Sequence, residues 1–300
     1  MHERVARCLS IARRTAQHEL SPQVALMQML IASEDVALVE QALAALPPEL
    51  EQTRALLARL LDDNRTGCSQ IVAQLRSEQT HAEGLSPEAS LAFHRQLFDT
   101  LVSVSEESSV ALYSLGNPQI LAAATDEIVA FLLERSLLTA DTRVLDVGCG
   151  IGRLELALSA RVFQITGIDL SPQMVAAARR RCAHLANVRC ALSSGRDFAQ
   201  FAPCSLELVL AVDSFPYVVQ AGDALVDALF DEAKRVLVPD GHFLLLNFSY
   251  RDDLARDRAE VSALARRHGF TVELAGERPF ALWDGAVFLL RARDSLSGAW

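Results

Sequence analysis

The residues best placed to do chemistry in this chain are Asp146, Gly148, Gly150, Gly152 and Asp169. An apolar run, Val144 to Val147 with the acid at 146, leads into three glycines at alternate positions and then into the helix-forming run Arg153 to Leu158. Glycines let the chain turn sharply and let a ligand lie against main-chain N–H groups, and a helix start adds the positive end of its dipole. A dinucleotide site would read G-x-G-x-x-G and neutralise a pyrophosphate. Here the third glycine comes one position early, and Asp146 places a carboxylate where a pyrophosphate would be repelled. The pattern suits a ligand carrying positive charge. Gln164 to Asp169 then reads as a second buried strand ending in an acid, with a helix starting at Leu170-Ser171-Pro172. Asp169 follows Gly148 by 21 positions, the spacing at which a strand-end acid reaches ribose hydroxyls.

The elements that must position these residues are legible as alternating patterns. A helix over 119–138 precedes strand 143–147, helix 153–160, strand 164–168, helix 172–183, strand 187–191, strand 206–211, helix 221–236 and strand 242–248. This order predicts a parallel sheet with helices on both faces. After a helix over 254–268, the runs Phe270 to Leu274 and Gly285 to Arg291 predict an antiparallel hairpin. Residues 1–105 have no strand-like alternation. Val24, Met27, Leu30 and Ile31, then Leu56, Leu57, Leu60 and Leu61, recur at helical spacing. Ser21-Pro22, Pro47-Pro48-Glu49 and Ser86-Pro87-Glu88 mark helix starts. The expected division is an all-α domain over 1–105 and an α/β domain over 106–300, joined at the polar Ser105 to Ser109.

Composition narrows the function classes. The chain has 300 residues, 51% hydrophobic and 22% charged, and a net charge of −10. It can bury a sizeable core, and its acidity disfavours a phosphate-tracking nucleic-acid surface. Six cysteines without a C-x-x-C pair or zinc spacing predict no metal site and a reduced, cytoplasmic setting. No apolar run is long enough to span a membrane.

Val144 to Gly152, Ile165 to Ala178 and Ala233 to Phe248 together resemble the three most recognisable segments of class I S-adenosylmethionine-dependent methyltransferases, over roughly residues 110 to 293. The resemblance implies a doubly wound, mostly parallel seven-stranded sheet with an antiparallel C-terminal hairpin, here with an added N-terminal helical domain. It implies S-adenosylmethionine as cofactor and methyl transfer as the reaction. A small-molecule acceptor fits the acidic charge balance and a helical domain that could impose size selection. Aminopropyl transfer, a cofactor-binding module without turnover, and an ordinary nucleotide-using Rossmann enzyme are the alternatives.

Carried onto this chain, the resemblance sets Asp146 and Gly148, Cys149, Gly150 and Gly152 along the methionine half of the cofactor, and Asp169 on the ribose. Leu170 and Met174 would pack on adenine. Where the family commonly has an Asp after the third strand, this chain has Ser194, so Ser194, Gly195, Arg196 and Asp197 are alternatives for the adenine contact. The segment Val212-Asp213-Ser214-Phe215-Pro216-Tyr217 is expected as a loop where the acceptor approaches. It lacks the first proline of the [DNS]-P-P-[YFW] loop of amino-group methyltransferases. Asp213 is the first candidate base and also a cofactor neighbour; Tyr217 is the second base. Tyr113, Tyr217, Asn247, Tyr250 and Trp283 form the expected acceptor rim, since ring faces attract cations. His94 could face the site from the N-terminal helices. Those helices should form a bundle over the acceptor opening, with apolar surface at Leu26, Met29 and Leu30 offered to a homodimer.

Overall fold

A computed structural model describes residues 2–77 and 84–294. Eight helices come first: α1 (His2–Ala16), α2 (Pro22–Ser33), α3 (Val36–Ala44), α4 (Glu51–Asp63), α5 (Arg65–Ser77), α6 (Pro87–Val104), α7 (Glu106–Val110) and α8 (Pro118–Glu134). Then follow β1 (Arg143–Val147), α9 (Arg153–Leu158), β2 (Gln164–Asp169), α10 (Pro172–Arg181), β3 (Val188–Leu192) and β4 (Leu206–Val212). The chain continues through α11 (Phe215–Ala221), α12 (Asp223–Val236), β5 (Leu237–Leu246), α13 (Leu254–Arg267), β6 (Phe270–Glu277) and β7 (Val287–Ala292).

The sheet has seven strands in the order β3-β2-β1-β4-β5-β7-β6. The first five are mutually parallel, while β7 runs antiparallel to both of its neighbours. The expected fold class is therefore the observed one. Strand order reverses between β1 and β4, and ligands of such sheets bind at the carboxyl ends beside that reversal. β4 is buried along almost its whole length, as a central parallel strand covered on both faces must be. Phenylalanines from successive elements lock it: Phe215 stacks on Phe248 at 5.6 Å, and Phe230 meets Phe243 edge-on at 5.4 Å.

The chain divides into two compact units. One comprises Met1–His81, Thr100–Glu127 and Phe280–Asp284; the other comprises Ala82–Asp99, Ile128–Pro279 and Gly285–Trp300. The expected boundary at 105/106 falls inside the helical unit, and the division instead cuts α6. Helix periodicity cannot reveal such a cut, because one helix continues through it.

In the helical unit α2 is the central helix. Its Val24, Ala25, Leu26, Met29 and Leu30 are all fully buried, as a helix apolar on every side requires. The expectation that Leu26, Met29 and Leu30 offer a dimer surface is thus corrected: they are core. The 280–284 segment is pinned within the same unit. Ser21 Oγ donates to the Leu282 carbonyl at 3.1 Å, and the Ala281 and Leu282 N–H groups donate to Glu127 at 3.1 Å. Among the described residues no helix is long and apolar enough to cross a membrane.

One contact in this unit has no tolerance. A Cβ on Gly67 of α5 would sit 1.9 Å from the Leu115 carbonyl oxygen. Gly67→Ala gains up to about 1 kcal/mol of helix propensity, yet must push two backbones apart, at about 2–4 kcal/mol. The expected result is a net loss of stability, seen as a lower urea midpoint.

Candidate functional site

The glycine loop is held by bonds to β2. The Gly148 and Cys149 N–H groups both donate to the Ile168 carbonyl, at 2.8 and 3.0 Å. The Gly150 N–H donates to Asp169 Oδ2 at 2.9 Å, and the Gly152 N–H donates to the Cys149 carbonyl at 3.0 Å. The expectation that these amides lie free for a ligand is corrected: the fold uses them. What the glycines supply is space. A Cβ on Gly148, whose φ is +78°, would stand 2.3 Å from the Cβ of Ser214. The loops after β1 and β4 therefore touch, with Ser214 Oγ donating to the Val147 carbonyl.

Four carboxyl groups lie under and beside this loop. Asp146 and Glu155 are buried; Glu155 fills room left by Gly167. Burial pushes the Asp146 carboxyl up to about 7, with Arg153 pulling the other way. Burial, then the neighbouring Asp146, holds Glu155 well above the usual carboxylate range. Above about pH 7 Glu155 keeps its proton while Asp146 is the anion of the pair. Asp146 and Glu155 share a side-chain hydrogen bond, and among the described residues Asp146 Oδ1 accepts from no N–H or hydroxyl group. Asp169 is pushed up to about 6 by burial, against the pull of the Ser171 and Gly150 amides. Its Oδ1 accepts from the Ser171 N–H at 2.9 Å. Asp99 of α6 completes the set, accepting from Ser171 Oγ at 2.5 Å and from the Gln173 N–H at 3.1 Å. It thereby adds to the capping of α10.

Beside Asp169 is a cleft of about 300 Å³ lined by Leu91, Ala92, Arg95, Gln96, Asp99, Leu170, Ser193 and Ser194. Leu91, Arg95 and Asp99 recur every four positions, so one stripe of α6 forms a wall. Leu170 and Ser194, expected beside the adenine, both line the cleft. Gly195 supports the wall: a Cβ there would press on Leu170 and Leu91. Arg196 pairs with Glu88 at 3.6 Å, and Asp197 accepts from the Ala199 N–H at 3.1 Å, so neither lines the cleft. Met174 is buried and also lies off the cleft, because it points from α10 into the core. Cys149 is likewise buried, its thiol raised well above its usual value chiefly by burial; it is a neutral packing group.

A second cluster closes the ends of β4 and β5. Asp213 and Asn247 both sit in the left-handed region, with φ of 59° and 65°, a costly conformation for residues other than glycine. Asn247 Nδ2 donates to Asp213 Oδ1 at 3.0 Å, and Asn247 Oδ1 accepts from the Ala286 N–H at 2.9 Å. The Tyr250 hydroxyl donates to the same Asp213 oxygen at 2.7 Å. Tyr250 is 48% exposed, but crowding around its hydroxyl, then the charge of Asp213, holds the phenol above its usual value, so it stays a donor. The Tyr217 ring packs edge-on against Tyr250 at 5.6 Å, and against His94 and Phe98 of α6 at 5.0 Å each. The expected loop at 214–217 is in fact the start of α11: Pro216 is tolerated in a first helical turn.

The expected aromatic rim resolves into two pairs. Tyr217 and Tyr250 meet in the sheet unit. Tyr113 and Trp283 stack at 5.7 Å in the helical unit, where Trp283 also stacks on Phe280. Asn247 commits both ends of its amide to Asp213 and Ala286. Sequence reasoning missed Glu155, Asp99 and the weight of His94. The available signals were weak: an acid on the inward side of a short helix, and acid and histidine at adjoining stripes of α6.

Comparison with known proteins bears on the fold and the kind of domain. Residues 144–241 match the family of methyltransferase domains. A demethylmenaquinone methyltransferase of Tropheryma whipplei is 34% identical over 112 residues, 37% of this chain and 44% of that protein. EEF1A lysine methyltransferase 4 of Bos taurus is 33% identical over 125 residues, 38% of this chain and 49% of that protein. The chain thus spans less than half the length of either relative. In fold it resembles phosphoethanolamine N-methyltransferase 1 of Haemonchus contortus, solved with phosphoethanolamine and S-adenosylhomocysteine. That likeness has a TM-score of 0.52 and 16% identity, and covers 72% of this chain and 51% of the other.

The buried acid pair sets a pH dependence. Asp146 has its folded pKa raised from 3.8 to about 7, so between those values the folded chain holds a proton that the unfolded chain has lost. Stability therefore falls as pH rises through that window. Asp146→Asn removes this contribution. The drop in urea midpoint between pH 5 and pH 7.5 should be smaller in the variant than in the parent chain.

Proposed function

We propose that this chain, which carries a class I S-adenosylmethionine-dependent methyltransferase domain, moves a methyl group from that cofactor to a small-molecule acceptor beside Tyr217 and Tyr250. The observation that carries the reading is the buried acid pair Asp146 and Glu155, beneath a loop that only glycine at 148 permits. An anion kept there at a cost in stability suits a ligand with an ammonium and a sulfonium group. Asp146 and the Gly148–Gly152 loop would hold the methionine half, Asp169 the ribose hydroxyls, and Leu91, Leu170 and Ser194 the adenine.

Bound there, the cofactor supplies a methyl group already activated on sulfur. The chain's own part is to position the acceptor and exclude water. Tyr250 and Asn247 hold Asp213 in place, and the ring faces of Tyr217 and Tyr250 favour a cationic neighbour. The net charge of −10 and the wall made by α6 support a small acceptor over a nucleic acid. The names of the relatives span quinone and lysine acceptors and do not choose between them.

Calorimetry with S-adenosylhomocysteine and NAD tests the cofactor. Binding of the first and not the second is expected, and binding of NAD alone would overturn the reading. Asp169→Ala should weaken S-adenosylhomocysteine binding by about 1.5–3 kcal/mol, the worth of hydrogen bonds to a charged group. Turnover is tested with methyl-labelled S-adenosylmethionine and a panel of small amines, phenols and carboxylic acids. S-adenosylhomocysteine with a labelled acceptor marks methyl transfer; its absence throughout marks a binding module. Tyr217→Ala should lower kcat more than it weakens cofactor binding.

A further inference from the structure

His94 stands apart from the other histidines. It lies on α6, one stripe round from Leu91 and Arg95, and is 2% exposed. Its Nε2 is 3.2 Å from Gln220 Oε1. A side-chain carbonyl oxygen can only accept, so Nε2 carries the hydrogen and Nδ1 is a bare acceptor. That Nδ1 is buried without a partner among the described residues. A buried polar atom left unmatched is destabilising, which a fold tolerates when a ligand completes it. The ring meets Tyr217 edge-on at 5.0 Å, and Tyr217 in turn meets Tyr250, whose hydroxyl bonds Asp213. The ring that carries the orphaned nitrogen thus packs on the aromatic pair assigned to the acceptor.

We infer that His94 Nδ1 takes the proton of the methyl acceptor, an amine or hydroxyl compound. The inference rests on the methyl-transfer reading above. As the acceptor heteroatom forms its bond to the methyl carbon, the carbon–sulfur electron pair stays on sulfur. The heteroatom's hydrogen passes to Nδ1, leaving an imidazolium that still donates from Nε2 to Gln220. Burial lowers the pKa of His94 from 6.5, only partly offset by Gln220, so the ring is neutral and ready to accept at pH 7. The titratable groups facing it are Tyr217 and, behind it, Tyr250 and Asp213. Asp213 accepts from Tyr250 and Asn247, whereas His94 Nδ1 is buried without a hydrogen bond among the described residues.

Two measurements on the full chain test this. The first is ¹⁵N NMR of histidine-labelled protein with S-adenosylhomocysteine, the His94 signals assigned by their loss in His94→Gln. An Nε2–H tautomer titrating below pH 6.5 is expected; an Nδ1–H tautomer, or a pKa of 6.5 or above, would overturn the assignment. The second uses the fastest acceptor of the panel. His94→Gln retains an amide near the Nε2 position but has no base. Its kcat should fall by about 10²–10⁴-fold, the usual contribution of general-base catalysis, with S-adenosylhomocysteine affinity held. The low-pH limb of kcat/KM should vanish. An unchanged kcat, or a retained limb, would remove His94 from the chemistry. Failure of the parent chain to methylate any panel member would instead remove the methyl-transfer reading, and this inference with it.

Discussion

The mouth of the sheet depends on a half-buried carboxylate that bonds in two directions. Asp169 accepts from Gly150 in the loop after β1 and from Ser171 at the start of α10. These bonds fix where the loop ends and where α10 begins, and so the width of the cleft between them. The arrangement is costly. Even with backbone donors, burial and the nearby charge of Asp99 hold Asp169 at about 6. Asp146 and Glu155 repeat the pattern below the loop. Packing four carboxyl groups into one end of a sheet works against folding. The same negative field is what a cationic ligand would find favourable, so the cost to the free chain becomes selectivity for the bound one.

The sheet half was legible almost element by element. Strands 143–147 and 164–168 were readable because a buried parallel strand is a short apolar run bounded by turn residues, and the C-terminal hairpin because two such runs follow the last helix without another helix between them. The strand expected over 242–248 stops at Leu246, since Asn247 turns into the left-handed region to bond Asp213 and Ala286, and no local pattern announces that. The helical half was legible only as helices. Amphipathic spacing shows which face is apolar and not what covers it, which is why Leu26, Met29 and Leu30 read as spare surface and are core.

The same limit explains what was missed at the site. Asp146, Gly148 and Asp169 are bound to each other through neighbouring strands, so their spacing along the chain is fixed by the fold and visible in sequence. Asp99 and His94 reach their partners Ser171 and Gln220 across 72 and 126 positions. Contacts that distant leave no periodic trace. Glu155 was hidden for a different reason: an acid on a short helix ordinarily faces water, and it is buried here only because Gly167 leaves room on β2.

Helix α6 links the two halves of the proposed site. Its Leu91, Arg95 and Asp99 stripe lines the cleft beside Asp169, and its His94 and Phe98 stripe packs on Tyr217. A helix is stiff over two turns, so these stripes move together. A ligand that fills the cleft and presses on Leu91 therefore also sets where His94 stands relative to Tyr217. On the proposed reading, cofactor occupancy and acceptor geometry would be coupled through this one helix.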